Sequence, residues 1–325
     1  MVSSNMTSLS YRTRTLFSSR AAIENKLLRL FLSALMLAAL SLAVAGQSGN
    51  KRAPAPKTAA PTSMNSVAPA LTRTTTRHEV RRLGYGGTLN ILGAPSGSIT
   101  IEAWPRAEVD ITADIELRAE TEADLARLAA VNNFALDEDI NHIRVLTTGT
   151  HDKSFMRRTA KDFPKRLLGL PWKIDYRIRV PAAVDLEINM GRGAFNLAGV
   201  EGSITLTALE SDATLALTGG RFAATIGRGS ARVKFVGRNW RGSGVEIRLA
   251  TGNMIVELPA NFTADIDASV LRTGAIENTY NALVPRERTT ATAHSLNGRA
   301  GAGGPTLAFT VGDGRLSIKP EGKEQ

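Results

Sequence analysis

This sequence predicts an all-β fold, a parallel β-solenoid (β-helix-like) of short glycine-turn repeats, and three observations predict it. The first is a phrase that recurs between Leu186 and Ile318: a small or polar residue, a glycine, one or two further residues, then an alternating apolar strand. It is found as Asn189-Met190-Gly191-Arg192-Gly193-Ala194-Phe195, as Ile226-Gly227-Arg228-Gly229-Ser230-Ala231 and as Ala250-Thr251-Gly252-Asn253-Met254. It returns as Arg272-Thr273-Gly274-Ala275-Ile276 and Val311-Gly312-Asp313-Gly314-Arg315-Leu316. The second is the spacing of most of these turns, roughly twenty residues, a period that signals stacked repeats. The third is strict alternation between the turns, with no helix-period segment from residue 181 to residue 280.

Composition narrows the function classes. The chain has 325 residues, 43% hydrophobic, with aromatics at only 5% and 29 glycines, which suits many short strands and tight turns. There is no cysteine, which excludes disulfides, thiolate catalysis, cysteine-bound zinc and a lipoprotein anchor. The formal charge of +10 is concentrated outside the fold. Residues 1–45 carry a net of +4 and residues 46–77 a net of +5, so everything after Arg77 carries +1. A basic nucleic-acid-binding domain is therefore not expected.

Taken in order, residues 1–26 are polar and basic, and Leu27–Ala45 is apolar apart from Arg29. The uninterrupted apolar part, Leu30–Ala45, is shorter than the ~20 residues of a spanning helix. Ala43-Val44-Ala45 has the small-x-small form of a cleavage site, so residues 1–45 read as an export signal, cleaved or retained as a signal anchor. Residues 46–77, rich in Ala, Pro, Thr and basic groups, read as a disordered linker. Residues 78–180 form an N-terminal β segment. Ser98–Trp104 and Val109–Leu117 alternate as half-exposed strands. Thr121-Glu122-Ala123-Asp124 caps a short helix near residues 121–132, with Leu125, Leu128 and Ala129 on one face. His142–Leu146 and Trp172–Val180 are further strands. Residues 151–170, with six basic groups among Phe155, Met156, Phe163 and several leucines, read as a long exposed loop. The repeats occupy residues 181–320. There Val184/Leu186/Ile188, Ala231/Val233/Phe235, Val245/Ile247/Leu249 and Met254/Val256/Leu258 point inward, in strands of about five residues. Residues 281–305 break the rhythm before strands at Leu307–Val311 and Leu316–Lys319.

Gly97-Ser98-Ile99-Thr100-Ile101-Glu102-Ala103-Trp104, Val109-Asp110-Ile111-Thr112-Ala113, the acidic helix, Tyr176-Arg177-Ile178-Arg179-Val180-Pro181 and the Thr-x-Gly-x-Ile/Met turns together carry a family resemblance. Over roughly residues 85–320 the chain resembles the bacterial exported β-strand-repeat proteins of the DUF4097 family, related to adhesin-like domains. Ser211-Asp212-Ala213 departs from the pattern by lacking the glycine. The resemblance implies an exported solenoid with no catalytic residues to transfer.

No catalytic motif is present. The four histidines are scattered, and Gly191-Arg192-Gly193 lacks the third glycine and the helix of a dinucleotide site. Two constellations remain. Arg228, Arg232, Lys234, Arg238, Arg241 and Arg248, with Arg221 nearby, form a candidate basic face for an acidic glycan, envelope polymer or protein partner. Such a stretch is also an ordinary solvated face that discourages edge aggregation. Glu187, Glu246, Glu257, Asp265 and Asp267 occupy outward positions of the kind that polysaccharide-cutting β-helices use for acid–base chemistry, although any soluble strand carries acids there. The expected function is an exported, envelope-associated structural or interaction module. It is adhesin-like and without catalysis, needs no cofactor and contacts no nucleic acid. Contact with the membrane is expected only through an uncleaved N-terminal anchor. The alternatives are a polysaccharide-acting enzyme on a β-helix and a membrane-anchored periplasmic sensor.

Overall fold

The computed structural model of the protein describes residues 71–286 and 290–322. The export signal lies outside the described residues, as does the linker up to residue 70.

Alternation of apolar and polar residues makes strands, and glycine decides where they bend. Five long strands form the centre: β8 (Asp185–Ala198), β9 (Ser203–Leu217), β10 (Arg221–Phe235), β11 (Gly244–Leu258) and β16 (Thr306–Pro320). They pair in parallel in the order β8-β9-β10-β11-β16. Ser203 of β9 lies beside Arg221 of β10, so the chain returns to its starting point after one 15-residue strand and a three-residue connection. A straight strand of that length would span about 50 Å, and three residues reach only about 11 Å. Each long strand therefore folds back on itself at its midpoint. The fold falls at a column of residues in register, Gly193, Ser211, Gly229 and Gly252. The five-residue strands read from the sequence are thus halves of longer ones. The first halves bury Phe222, Ala224 and Ile226, the second halves Ala231, Val233 and Phe235, and both sets meet in one core.

The N-terminal segment extends both halves. β2 (Thr88–Ser96) pairs with the first half of β8, and β3 (Ile99–Trp104) with its second half, both in parallel. Beyond β2 lie β6 (His142–Thr148) and the antiparallel β5 (Asn133–Glu138). Beyond β3 lie β7 (Trp172–Pro181), β4 (Glu108–Ala119) and β1 (Leu71–Arg82), the last two joined antiparallel. At the other end, β12 (Ala264–Val270) and β13 (Gly274–Asn278) pair with β16. β15 (Ser295–Ala300) and β14 (Leu283–Pro285) continue antiparallel beyond β12.

The expected architecture is corrected in several places. The protein is mostly β, but its 16-stranded sheet is mixed: the parallel ladders are flanked by antiparallel strands at both ends. β1 begins at Leu71, inside the stretch read as linker. The strand pairs along the whole of β4, and tertiary pairing outweighs the polar composition that suggested a tether. The helix α1 (Glu122–Val131) lies where the capping signal placed it, with Thr121 Oγ1 accepting from the Asp124 amide at 3.2 Å. Leu125 and Leu128 are buried. The loop read at 151–170 instead contains α2 (Lys153–Thr159) and a 3-10 turn at Lys165–Leu167. Asp152 caps α2 by accepting from the amides of Ser154 and Phe155 at 2.8 and 3.0 Å. Arg166 then clamps the buried Asp124 through two donors at 2.6 and 2.8 Å, tying this segment to α1. Part of the excursion at 281–305 is strand, and the two final strands are one, β16.

Candidate functional site

Alternation on β3, β7 and β4 turns one set of side chains away from the core. These are Thr100, Glu102 and Trp104 on β3, Asp175, Arg177 and Arg179 on β7, and Asp110, Thr112 and Asp114 on β4. Register sets them in rows: Glu102 beside Arg179 and Arg179 beside Asp110, then Thr100 beside Arg177 and Arg177 beside Thr112. Opposite charges across neighbouring strands attract, and here they lock the face. Arg179 donates to Asp110 Oδ2 at 2.5 Å, and His78 Nε2 lies 2.9 Å from Asp110 Oδ1. Arg177 donates to Asp114 Oδ2 at 2.7 Å, and Thr76 Oγ1 donates to Oδ1 at 2.6 Å.

The electrostatics follow from this geometry. Asp110 is only 6% exposed. Desolvation pushes its carboxyl up, but the hydrogen bonds from Arg179 and His78 outweigh it and hold the group below its ordinary range. Desolvation also pushes Asp175 up, and again hydrogen bonds prevail: the Ser98 amide and hydroxyl donate to it at 2.7 and 2.8 Å. The guanidiniums above these acids stay open to solvent, with Arg177 and Arg179 side chains 62% and 55% exposed. Each carries five donors, and one bond to a carboxylate leaves others facing outward. Two residues apart on β7, they stand about 7 Å from each other. Beside them lies Trp104, half-buried, its Nε1 donating to the Glu108 carbonyl at 2.7 Å. The guanidiniums of Arg179 and Arg106 sit 4.6 and 4.9 Å from its ring centroid, an attraction of about 0.5–1 kcal/mol at exposed sites. A shallow cavity of about 250 Å³ opens between Thr100, Glu102, Asp110, Thr112, Arg177 and Arg179.

The six basic residues singled out in the sequence are not gathered into one patch. Arg232 and Lys234, on the second half of β10, share the outward face just described. Lys234 is in register with Ala216, Ala216 with Ala198, and Ala198 with Glu102. Three strand steps put Lys234 about 14 Å from the Glu102 row, across a floor of small residues. Arg248 lies on the first half of β11, on the other side of the core, in an ion pair with Glu246. Arg228 stands at the fold-back corner between Glu210 and Thr251. Arg238 and Arg241 belong to the return between β10 and β11, with Arg241 paired to Glu201 at 2.5 Å. The reason is topological. One turn of chain circles the core in 18 to 23 residues, so a cluster in sequence is spread around the perimeter, and residues that share a face lie a turn apart. Arg232 and Lys234 are themselves paired, with Glu257 at 3.0 Å and Glu321 at 2.7 Å.

The outward acids are engaged as structural partners. Glu257 is held by Arg232 and Lys319, Glu187 accepts from Asn90, and Asp267 pairs with Arg286. The hydrogen bond from Arg299 holds Asp265 below its ordinary range. Wherever a carboxyl in the described residues departs from that range it is held down, and a general acid needs the opposite. No group of three or more candidate metal ligands occurs among the described residues. A larger cleft, about 870 Å³, lies against Phe262, Val284, Arg286 and Arg299.

Trp104, Arg177 and Arg179 were missed as site residues, although the signal was present. An indole at the outward position of an alternating strand is anomalous, and Thr100, Glu102 and Trp104 share a phase.

No family model matches this chain, and no curated protein matches it. Solved structures resemble it only at a distance. One is a candidate cell adhesion protein from Clostridium sporogenes, 11% identical, with a TM-score of 0.42, covering 76% of this chain and 100% of its own. Another is a candidate adhesin from Bacteroides fragilis, 13% identical, with a TM-score of 0.28, covering 76% and 97%. Among the described residues, no helix is long and apolar enough to cross a membrane.

Proposed function

We propose that this protein is an exported, envelope-associated β-solenoid of the DUF4097 kind. It acts as a non-catalytic interaction module that holds an extended acidic glycan against the outward face running from Trp104 to Lys234. One observation carries this reading. Two guanidiniums, Arg177 and Arg179, are each held by a carboxylate and stand beside a half-buried indole, on side chains more than half exposed. Donors positioned before binding lose little conformational freedom when a ligand arrives. A guanidinium pairs a carboxylate in a planar fork, and Trp104 holds Arg179 in place from the side. The small residues between Glu102 and Lys234 leave room for a flat chain, and Lys234 bounds its far side. Depressed carboxyls favour a binding surface over acid–base hydrolysis.

The test is retention of the purified chain on immobilised acidic and neutral glycans, with every bound glycan assayed for cleavage products. Acidic glycans are expected to bind uncleaved. Trp104→Ala and Arg177→Ala are expected to weaken binding at least several-fold, and Arg248→Ala, on the other side of the core, to leave it unchanged. Equal loss in Arg248→Ala, or no preference for acidic glycans, would remove the proposed face. Cleavage would remove the non-catalytic reading.

A further inference from the structure

The place of β16 in the sheet is not the place that chain order gives it. β11 and the pair β12–β13 are consecutive in sequence, yet β16, the last strand of the described chain, lies between them. Read through β16, the two flanking elements are in phase. Val245 aligns with Leu307 and Leu307 with Ile266, and Met254 aligns with Leu316 and Leu316 with Ile276. The fold-back glycines coincide as well, because Gly314 packs on the Gly252 carbonyl and Gly274 on that of Gly314. Ile266 follows Val245 by 21 residues and Ile276 follows Met254 by 22, within the 18-to-23-residue step that relates the other turns. β12–β13 is thus the next turn after β11, and β16 is wedged into the seam between two turns that match each other.

No hairpin ties β16 to either neighbour. All three of its ladders are parallel, and the chain enters it from residues 301–305, where Gly301 and Gly303 have φ of 57° and 79°. What holds it is its own pattern. Its inward side chains are fully buried, and Asp313, Arg315 and Lys319 pair outward with Arg272, Glu277 and Glu257.

We propose that β16 is an exchangeable strand and that the seam between β11 and β12–β13 accepts the β16 of a second copy of this chain. The partner follows from the fit. A strand filling the seam must bring apolar residues in the right phase on both halves, a glycine at the corner and the charge order minus, plus, plus. β16 supplies all three, and in a second copy it does so in the same register. Exchange converts a contact within one chain into the identical contact between chains, and a flexible glycine entry permits it.

The chain has no cysteine, so introduced thiols report contacts without background. Full-length Arg248→Cys and Thr310→Cys chains carry partner positions on β11 and β16, within disulfide range for adjacent strands. Mixed at high concentration through a mild denaturant cycle, diluted and oxidised, they should give several-fold more covalent heterodimer than Arg248→Cys mixed with Thr205→Cys on β9. Glu246→Cys with Ala308→Cys, a second register pair, should agree. The double variant Arg248→Cys/Thr310→Cys, oxidised as a dilute single chain beforehand, should remain monomeric under the same cycle. Heterodimer no greater than the β9 control in both pairs would overturn the proposal, as would association of the pre-locked chain to the same extent as its parent.

Discussion

Replacing Gly252 with alanine tests the fold-back column more sharply than any core truncation. Gly252 has φ of 138°, a conformation that side chains rarely adopt. A Cβ there would lie 1.7 Å from the Gly229 carbonyl oxygen, where ordinary contact begins at 3.4 Å, so the neighbouring turn must retreat by the difference. That oxygen belongs to backbone held in a parallel ladder on both sides and has no rotamer through which to yield. The strained φ costs about 1–3 kcal/mol, and breaking one or two ladder hydrogen bonds adds about 1 kcal/mol each. The total is about 2–5 kcal/mol, or roughly 4–20 °C in melting temperature for a chain of this size. Thermal melts followed by circular dichroism would measure it. Ser211 provides the internal contrast. It occupies the same column, yet Asn261 is the only non-glycine with positive φ among the described residues, and the Ser211 hydroxyl is buried without a partner. Ser211→Ala should therefore be neutral or stabilising by up to about 1 kcal/mol. A Gly252→Ala chain that melts within about 2–4 °C of its parent, the equivalent of about 1 kcal/mol, would refute the reasoning.

Two further outcomes are expected. Phe235 is 1% exposed, with Trp240, Phe262 and Phe309 rings at 5.7, 5.3 and 6.3 Å, so Phe235→Ala should lower stability by about 3–5 kcal/mol in denaturant titration. Stability should also fall with acid in two stages. Burial depresses His151, so the folded state resists its protonation and a first loss begins as pH falls below the ordinary 6.5. Asp110 and Asp313 are depressed, so their contributions persist above the ordinary 3.8 and vanish as pH falls further, towards about 2 for Asp313 under the bonds from Arg272 and Thr273. A melting-temperature profile against pH should show both stages, and His151→Phe should remove the first alone. A single loss centred near neutral pH that survives this substitution would contradict the assignment.

Local rules made much of this protein readable. Alternation placed nearly every inward side chain of the long strands, glycine marked the corners, and Thr121 announced α1. What escaped depended on distant partners. β1 reads as a tether because its threonines and arginines show no apolar phase, and only pairing with β4 makes it a strand. Asp152 is a legible cap for α2, but the basic residues that follow read as an open loop, because the contact from Arg166 to Asp124 spans 42 residues. The basic cluster misled because closeness in sequence becomes separation around the core. The insertion of β16 has no local signature at all, since its pattern would suit any seam between two turns.

The equal steps at the centre of the fold have a consequence for how such a protein can change. From β8 to β9 and from β9 to β10 the chain advances by the same 18 residues, as the contacts Ser203–Asp185 and Ser230–Asp212 show. A whole turn is therefore a heritable unit. Duplicating one would lengthen the outward face by about 4.8 Å and copy one member into every row, leaving both ends as they are. The reach of the surface is written as a count of turns, and it can be lengthened or shortened in whole units, like a ruler, without redesigning the core.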